Sequence, residues 1–405
     1  MVPTRTSTTT AEAESGPATA GRTVLVVLHE PVLGGATLSL LRLVPLLEAR
    51  GWRFAFWVPW PSELYEHLAG GGRPVDGARR NLSYSLRALR LPPGPRARLA
   101  SLPHYMRELA RTVRSTRPAL AHVNSLMTLA EGSLIRALGT PTLFHVHEMV
   151  RPSAKGRAGR LALRIVGTEV VAVSNACADR LTLGEWRPRV VHECAPIPAE
   201  APSRGGRDGR LAVGTVGVIS RRKGSDIFVE AARIVRERDP GIEFRMIGAP
   251  TDPLDARWAE DVLARAAEVG VDHVPRADVP ERLAEWDVFA LPSRRDPFPI
   301  AMLEAMGSGL PVVGTRVDGI EEQLAGGSGL LVEPEAPESL ADAILRLRDA
   351  PAERHRLGAS ARRRVAEAFT LEHQAEGIDR AYRAALGKAN RAAPASPRAG
   401  AAAAR

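Results

Sequence analysis

Short apolar runs alternate with amphipathic stretches along most of the chain. The first run, TVLVVL at 23–28, precedes a loop with two glycines and an apolar helix over about 36–50. Similar strand-like runs follow in the first half: WRFAFWVP at 52–59, ALAHVNS at 119–125, TPTLFHVHE at 140–148 and EVVAVS at 169–174. Because strands that alternate with helices form βαβ units, this pattern predicts a parallel sheet with helices on its faces.

A Pro-rich, irregular stretch at 194–210 interrupts the pattern, which then restarts. The second set of strand-like runs is LAVGTVGVIS, EFRMIG, VFALPS, LPVVGT and GLLVEP, and helical segments are expected at 224–238, 255–268, 337–348, 352–368 and 371–386. The fold class is therefore α/β, with two Rossmann-like, doubly wound domains facing each other across a cleft. The boundaries that we expect are a disordered leader at 1–21, an N-terminal domain at 22–195, a linker at 196–210, a C-terminal domain at 211–370, a closing helix at 371–387 and a disordered tail at 388–405.

Length, charge and cysteine content narrow the class of protein. A chain of 405 residues is too long to fold around a single compact core. Its net charge of +9 favours anionic partners but does not indicate which kind. Cys177 and Cys194 show no metal spacing and are too few for a disulfide framework. The sequence has neither an apolar run of about 18 residues nor the apolar segment of a signal peptide, so we expect a cytoplasmic protein.

Two carboxylates flank an apolar segment in DPFPIAMLEAMGSGLPVV. Proline is tolerated where a helix begins but not in its interior, so Asp296 is expected in the loop before a helix and Glu304 about one turn inside it. Both acids would then lie at the carboxyl end of a strand, where open α/β sheets bind ligands. The alternative is that Asp296 caps the helix and Glu304 belongs to a solvated face.

Two glycine-containing loops suggest an anion site. GVISRRKGSD follows the first strand of the second domain and puts Arg221, Arg222 and Lys223 before a helix, although a basic loop is also often just solvated. The spacing differs from that of a P-loop. Gly34 and Gly35 precede the first helix, where they would allow a phosphate or sugar to approach the backbone or would simply form a turn.

The strand run FHVHE places His145 and His147 on one face of a strand. They have no third Cys, His or Asp motif beside them, and the chain has no Asp-x-Asp pair, so we expect no metal. His147, nearer the strand's end, is the better candidate for a hydrogen bond to a ligand hydroxyl. A core histidine is the alternative.

Taken together, these motifs resemble the family 4 retaining glycosyltransferases of the GT-B fold over about residues 23–386. The segments that carry the resemblance are VGVISRRKGSDIFVEAARIV, WDVFALPSRRDPFPIAMLEAMGSGLPVVGT, GIEEQLAGGSGLLVEPEAPESLADAI, LGGATLSLLRLVPLLEARGW, PTLFHVHE and VVAVSNACADRL. The carboxylate motif is highly specific, and the N-terminal segments are moderately so.

The resemblance implies a role for each matched position. Asp296 and Glu304 match the family's E-x7-E motif, in which the first acid contacts donor-sugar hydroxyls and the second holds the nucleotide ribose. Lys223 matches the lysine that neutralises the departing diphosphate, in place of a metal ion. The remaining matched positions are Gly35 beside the phosphate, His147 near the sugar's 6-position, and the amides around Phe298 and Ile300 near the donor sugar or diphosphate.

Two positions depart from the family pattern. The first acid is Asp296, one methylene shorter than Glu, and the arginine that commonly follows the strand glycine is Val218 here. Arg221 or Arg222 would have to supply that charge.

We therefore expect a metal-independent, retaining hexosyltransferase without a cofactor, whose substrate is a nucleoside diphosphate sugar. The alternatives are an inactive GT-B nucleotide-sugar-binding protein and a GT-B sugar-nucleotide epimerase or phosphorylase. No helix-turn-helix or aromatic RNA platform accompanies the positive charge, so no nucleic-acid partner is expected.

The acceptor is not readable from the sequence, but the segment 79–117 bears on it. It carries ten arginines against one acid, Glu108, interleaved with Leu, Tyr and Met. It is either a solvated helix pair or a surface that docks onto an anionic membrane, which would suit a lipid-linked or cell-envelope acceptor on the inner face of the membrane.

Overall fold

The computed structural model describes residues 22–30, 33–59, 61–78, 95–199, 210–251 and 255–392. They form two parallel sheets with helices on their faces, which confirms the predicted fold class. The predicted leader 1–21, most of the linker, and 79–94 of the basic segment lie outside the described residues.

The N-terminal sheet has seven strands in the order β3-β2-β1-β4-β5-β6-β7, and its paired strands are parallel. Its strands are β1 (Arg22–Val27), β2 (Trp52–Pro59), β3 (Val75–Ala78), β4 (Leu120–Asn124), β5 (Thr142–Val146), β6 (Glu169–Ala172) and β7 (Arg189–Val190). Its helices are α1 (Gly35–Glu48), α2 (Glu63–Gly70), α3 (Pro95–Thr116), α4 (Leu129–Ala137), α5 (Ala154–Val166) and α6 (Asn175–Leu181). The central strands β4 and β5 are buried along their whole length, as expected for a sheet covered on both faces.

The C-terminal sheet has six parallel strands in the order β10-β9-β8-β11-β12-β13. Its strands are β8 (Ala212–Val216), β9 (Glu243–Ile247), β10 (Val271–Val274), β11 (Val288–Leu291), β12 (Val312–Thr315) and β13 (Leu330–Val332). Its helices are α7 (Ser225–Arg238), α8 (Ala256–Val269), α9 (Val279–Ala284), α10 (Ile300–Gly307), α11 (Asp318–Gln323), α12 (Pro337–Asp349) and α13 (Pro351–Ala368). In both sheets the strand order reverses beside the first strand, and this switch point is where such sheets bind ligands.

The last helix, α14 (Leu371–Ala392), returns to the N-terminal domain. It packs against α1 and against β4, β5 and β6, and it buries Tyr382 completely between them. The Nζ atom of Lys388 lies 2.5 Å from Glu169 Oε2. The predicted tail at 388–405 therefore begins too early, since the helix extends five residues into it because its inner face is held by the sheet.

Candidate active site

The sequence-predicted residues come from both domains and meet at the carboxyl ends of their strands. Lys223 follows β8 and Asp296 follows β11, the neighbouring strand in the C-terminal sheet. Gly35 follows β1 and His147 follows β5 in the N-terminal sheet. A Cβ atom added at Gly35 would lie 3.6 Å from Ile300 Cδ1, so Gly35 and Ile300 lie close together across the domain boundary.

Lys223 and Asp296 form a buried ion pair. The Lys223 Nζ atom is 2.7 Å from Asp296 Oδ2, and the two side chains are only 14% and 4% exposed. Ser293 Oγ donates a second hydrogen bond to the same carboxylate oxygen at 3.1 Å. Burial lowers the pKa of Lys223, and the charge of Arg222 lowers it further, while Asp296 opposes this shift. The pair thus places a lysine of weakened proton affinity beside the cleft.

Local backbone geometry explains why glycine follows Lys223. Gly224 has φ of 69°, and a Cβ atom there would lie 1.9 Å from the carbonyl oxygen of Pro292. The 3-10 turn Arg221–Lys223 can therefore pack directly on the end of β11 only with glycine at this position.

The two arginines of the loop point to different partners. Arg222 Nη1 lies 3.7 Å from Asp296 Oδ1, whereas the Arg221 guanidinium stacks over Trp258 at 5.0 Å from the ring centre. Val218, where the family commonly has arginine, lines a small cavity with Lys223. Of the two arginines, Arg222 is thus the one placed to add positive charge near Asp296.

The structure excludes the alternative that Asp296 is a helix cap and Glu304 a solvated residue. Helix α10 has Pro299 at its N-cap without a side-chain capping bond, and Asp296 is 3% exposed. Glu304 is 14% exposed, and its Oε1 atom accepts a hydrogen bond from Arg42 Nη1 at 2.9 Å. Arg42 lies on α1 of the other domain, so this ion pair bridges the cleft.

Sequence reasoning missed Arg42. It lies 262 positions from Glu304, and nothing in its local pattern separates it from the other arginines of the chain.

The aromatic ring of Phe298 packs in the protein interior, and its backbone lies just before the N-cap residue of α10. The ring is 4% exposed and stacks on His192 with ring centres 5.0 Å apart. It also meets Phe369 edge-on at 5.3 Å. The side chain therefore fixes the loop between Asp296 and α10.

His147 is held through both ring nitrogens. Its Nε2 atom lies 2.9 Å from Asn124 Oδ1, and its Nδ1 atom lies 3.0 Å from Glu193 Oε1. Burial by itself lowers the pKa of His147, but the hydrogen bond and charge of Glu193 outweigh it, so the pKa is raised. Burial by itself raises the pKa of Glu193, and the His147 contact reverses this shift. Both shifts favour the charged pair.

Glu193 is itself anchored from behind. Gln374 on α14 donates to its Oε2 atom at 2.9 Å, and Ser39 on α1 donates to the same oxygen. The orientation of His147 is thus fixed by β4, through Asn124, and by α1 and α14, through Glu193. Sequence reasoning missed Glu193 because its partners lie far away along the chain.

His145 is the core histidine of the pair. It is 1% exposed, burial lowers its pKa well below the ordinary value, and neither ring nitrogen has a partner among the described residues. The sequence shows no third Cys, His or Asp motif beside the two histidines, but the fold brings Glu193 to them, and His145, His147 and Glu193 offer ligand atoms within 4.8 Å of one another. The absence of a metal from the reaction stays a prediction.

A second contact across the domain boundary involves Glu322. Its carboxylate accepts from the backbone amides of Asn175 and Ala176 at 2.9 and 2.8 Å, and lies 3.1 Å from His192 Nε2. Burial would raise the pKa of Glu322, but these hydrogen bonds lower it to about 2. The first turn of α6 is therefore held by an acid from the other domain.

Two facing Rossmann-like domains with site residues at their strand ends define the GT-B class, and solved structures of that class share this fold. HepE of Anabaena, in complex with UDP and glucose, matches with a TM-score of 0.73 at 18% identity, over 89% of this chain and 98% of that one. Sucrose-phosphate synthase of Thermosynechococcus elongatus matches with a TM-score of 0.73 at 19% identity, over the same shares. At these identities the likeness shows the fold alone.

Family models place the chain more narrowly. The model for Glycosyltransferase Family 4 matches residues 33–194, and that for Glycosyl transferases group 1 matches residues 210–349. The protein belongs to the family 4 glycosyltransferases, which confirms the resemblance found in the sequence.

Curated relatives match over part of their length. D-inositol 3-phosphate glycosyltransferase of Arthrobacter sp. (strain FB24) is 36% identical over 152 residues, which is 36% of each chain. The enzyme of the same name from Thermomonospora curvata is 30% identical over 268 residues, or 55% of this chain and 61% of the relative. The chain thus spans between about a third and three fifths of the length of these two relatives.

Proposed function

We propose that the protein is a retaining glycosyltransferase that moves a hexose-type sugar from a nucleoside diphosphate to an acceptor hydroxyl. The observation that carries this proposal is the convergence of the Lys223–Asp296 pair and Glu304 on the cleft between two Rossmann-like domains. Family membership and the UDP-bound neighbour HepE support a nucleotide-sugar donor.

In this proposal the bond between the anomeric carbon and the diphosphate oxygen breaks while the acceptor oxygen attacks from the same face. The acceptor's proton passes to the departing phosphate oxygen. Negative charge grows on the diphosphate as the bond breaks, and Lys223 stabilises that charge more strongly in the transition state than in the ground state. Arg222 adds positive charge from the same loop.

The carboxylates and the histidine orient the donor. Glu304 accepts hydrogen bonds from the ribose hydroxyls, and Asp296 contacts sugar hydroxyls while keeping Lys223 in place. A sugar hydroxyl that binds His147 Nε2 replaces or shares the bond to Asn124, since Nδ1 is committed to Glu193. Neither a metal nor a cofactor takes part in the proposed reaction.

The acceptor is a lipid-linked or cell-envelope glycan or a small molecule, reached by a cytoplasmic protein at the inner face of the membrane. The membrane association that we propose is peripheral. None of the helices among the described residues is long and apolar enough to cross a bilayer.

Hydrolysis of a panel of UDP-, GDP- and ADP-sugars tests the proposal. Release of a nucleoside diphosphate from at least one donor, abolished in Asp296→Asn, is the expected result. Binding without turnover would instead identify a nucleotide-sugar-binding protein, and an epimerised sugar nucleotide would identify an epimerase. If none of the donors binds, all three functions are contradicted: the glycosyltransferase, the binding protein and the epimerase.

A further inference from the structure

Helix α5 turns an apolar stripe toward solvent instead of toward the protein. Leu161 and Ile165 lie one helical turn apart and are 51% and 71% exposed. Among the described residues only one other large apolar side chain, Met127, is exposed, and it is less so at 37%. Leu163, on the opposite side, is fully buried. A helix of a globular domain normally points its apolar face inward, so this arrangement needs a further explanation.

Positive charge flanks the stripe on both sides. At helical spacing Arg157 and Arg164 lie along one edge of it and Lys155 along the other, and all three are exposed. Their side chains have no hydrogen-bond or ion-pair partner among the described residues, and α5 contains no acid. Arg160 differs, since it donates to the carbonyl of Arg180. The three exposed cations are therefore available to an external anion.

We propose that this docking face, made of Leu161, Ile165, Lys155, Arg157 and Arg164, binds the surface of an anionic lipid bilayer. A narrow apolar stripe edged by cations is the form that lets a helix lie in the interface, with its apolar residues inserted shallowly and its charges among the headgroups. A second copy of the chain fits less well, because a twofold contact through this face would bring the like charges of both copies together.

The position of α5 in the N-terminal domain links docking to the reaction. This link rests on the proposed function. His147, at the carboxyl end of β5, lies seven residues before α5 begins. Docking through α5 would hold the N-terminal domain, which carries His147, at the surface of the membrane that contains a lipid-linked acceptor.

Vesicle cosedimentation tests the docking face directly. Binding to vesicles of phosphatidylglycerol and phosphatidylcholine is expected, together with weak binding to phosphatidylcholine alone and a loss at high salt. Each cation near an anionic surface strengthens binding about fivefold, so a Lys155→Gln, Arg157→Gln, Arg164→Gln variant should bind about a hundredfold more weakly. Leu161→Gln, Ile165→Gln should weaken binding about tenfold while keeping every charge.

A matched control removes the same charge elsewhere. Arg257, Arg265 and Arg363 are exposed on the C-terminal domain, and their replacement by glutamine should leave vesicle binding within about twofold. Unchanged thermal melting and unchanged donor hydrolysis without vesicles would show that the α5 variants are folded. Because sedimentation and hydrolysis are read separately, loss of docking and failure of the proposed reaction cannot be confused.

Four outcomes would overturn the proposal. The first is equal partitioning onto neutral and anionic vesicles, and the second is an equal loss of binding in the control triple variant. The third is binding that survives the α5 changes but disappears with Arg87→Gln, Arg90→Gln, Arg96→Gln, Arg98→Gln, which would assign docking to the basic segment. The fourth is self-association through Leu161 and Ile165 without any vesicle binding, which would make the face a dimer contact.

Discussion

Replacement of Arg42 by glutamine should make nucleotide binding tighter. In the structure the carboxylate of Glu304 is engaged by Arg42 from the opposite domain, at 2.9 Å. If Glu304 holds the ribose, as proposed, the nucleotide has to displace this ion pair before it can use the carboxylate. In Arg42→Gln this ion pair is absent, so the free energy of nucleotide binding no longer includes the cost of breaking it.

The size of the effect follows from the burial of the pair. Arg42 and Glu304 are 30% and 14% exposed, which lies between a surface ion pair, worth about 0.2–1 kcal/mol, and a buried hydrogen bond to a charged group, worth about 1.5–3 kcal/mol. We take about 1 kcal/mol, so the Kd of the nucleoside diphosphate should fall about fivefold in Arg42→Gln.

Isothermal titration calorimetry measures this change, with Arg50→Gln as the control. Arg50 lies close to the end of the same helix and donates to the carbonyl of Leu46, away from Glu304. The Glu304→Gln background provides a second control, since Arg42→Gln should change the Kd little once the carboxylate is gone. Weaker nucleotide binding in Arg42→Gln would refute the reasoning and make Arg42 a direct ligand contact.

Four further results are expected. Lys223→Ala should lower kcat far more than it weakens donor binding, whereas Arg222→Ala should have a smaller effect and Arg221→Ala almost none in steady-state kinetics; wild-type rates in all three would place the anion site elsewhere. Glu193→Gln removes the hydrogen bond and the charge that outweigh burial at His147 and leaves only the smaller contributions of Glu148 and Glu30, so the pKa of His147 should fall in an NMR titration. The raised pKa of His147 contributes stability that is present below pH 6.5 and lost as the pH rises through the folded pKa, and urea denaturation should show this loss in the wild type but not in Glu193→Gln. Donor hydrolysis should be unchanged by EDTA; a loss restored by manganese or magnesium would show that a metal is needed, with His145, His147 and Glu193 the first ligands to test.

The sequence pattern predicted most elements of the fold because their burial imposes a regular spacing. The apolar runs became β1, β2, β4, β5 and β6 in one sheet and β8, β9, β11, β12 and β13 in the other. It missed β3, β7 and β10, which are short and lie at the sheet edges, where one neighbour is missing and fewer positions must be apolar.

The candidate site was predictable only where its residues form a local motif. Asp296, Glu304 and Lys223 lie in loops and helix starts whose spacing is readable, and the structure brings Lys223 and Asp296 into contact. Arg42 and Glu193 are fixed by tertiary contacts, and their local sequence resembles that of any exposed charge. The packing of α14 on the N-terminal domain could not be predicted either, because the pattern of an amphipathic helix does not specify which sheet it packs against.

The central claim is that the cleft binds a nucleoside diphosphate through Glu304. Calorimetric titration of UDP, GDP and ADP into the wild type and into Glu304→Gln tests it most directly. The account predicts that at least one of the three binds and that Glu304→Gln weakens that binding about tenfold. The variant loses a charge-assisted bond worth about 1.5–3 kcal/mol, and loss of the competing ion pair with Arg42 offsets about 1 kcal/mol of this. Equal affinity in the two proteins, or no binding of any of the three nucleotides, would contradict the account.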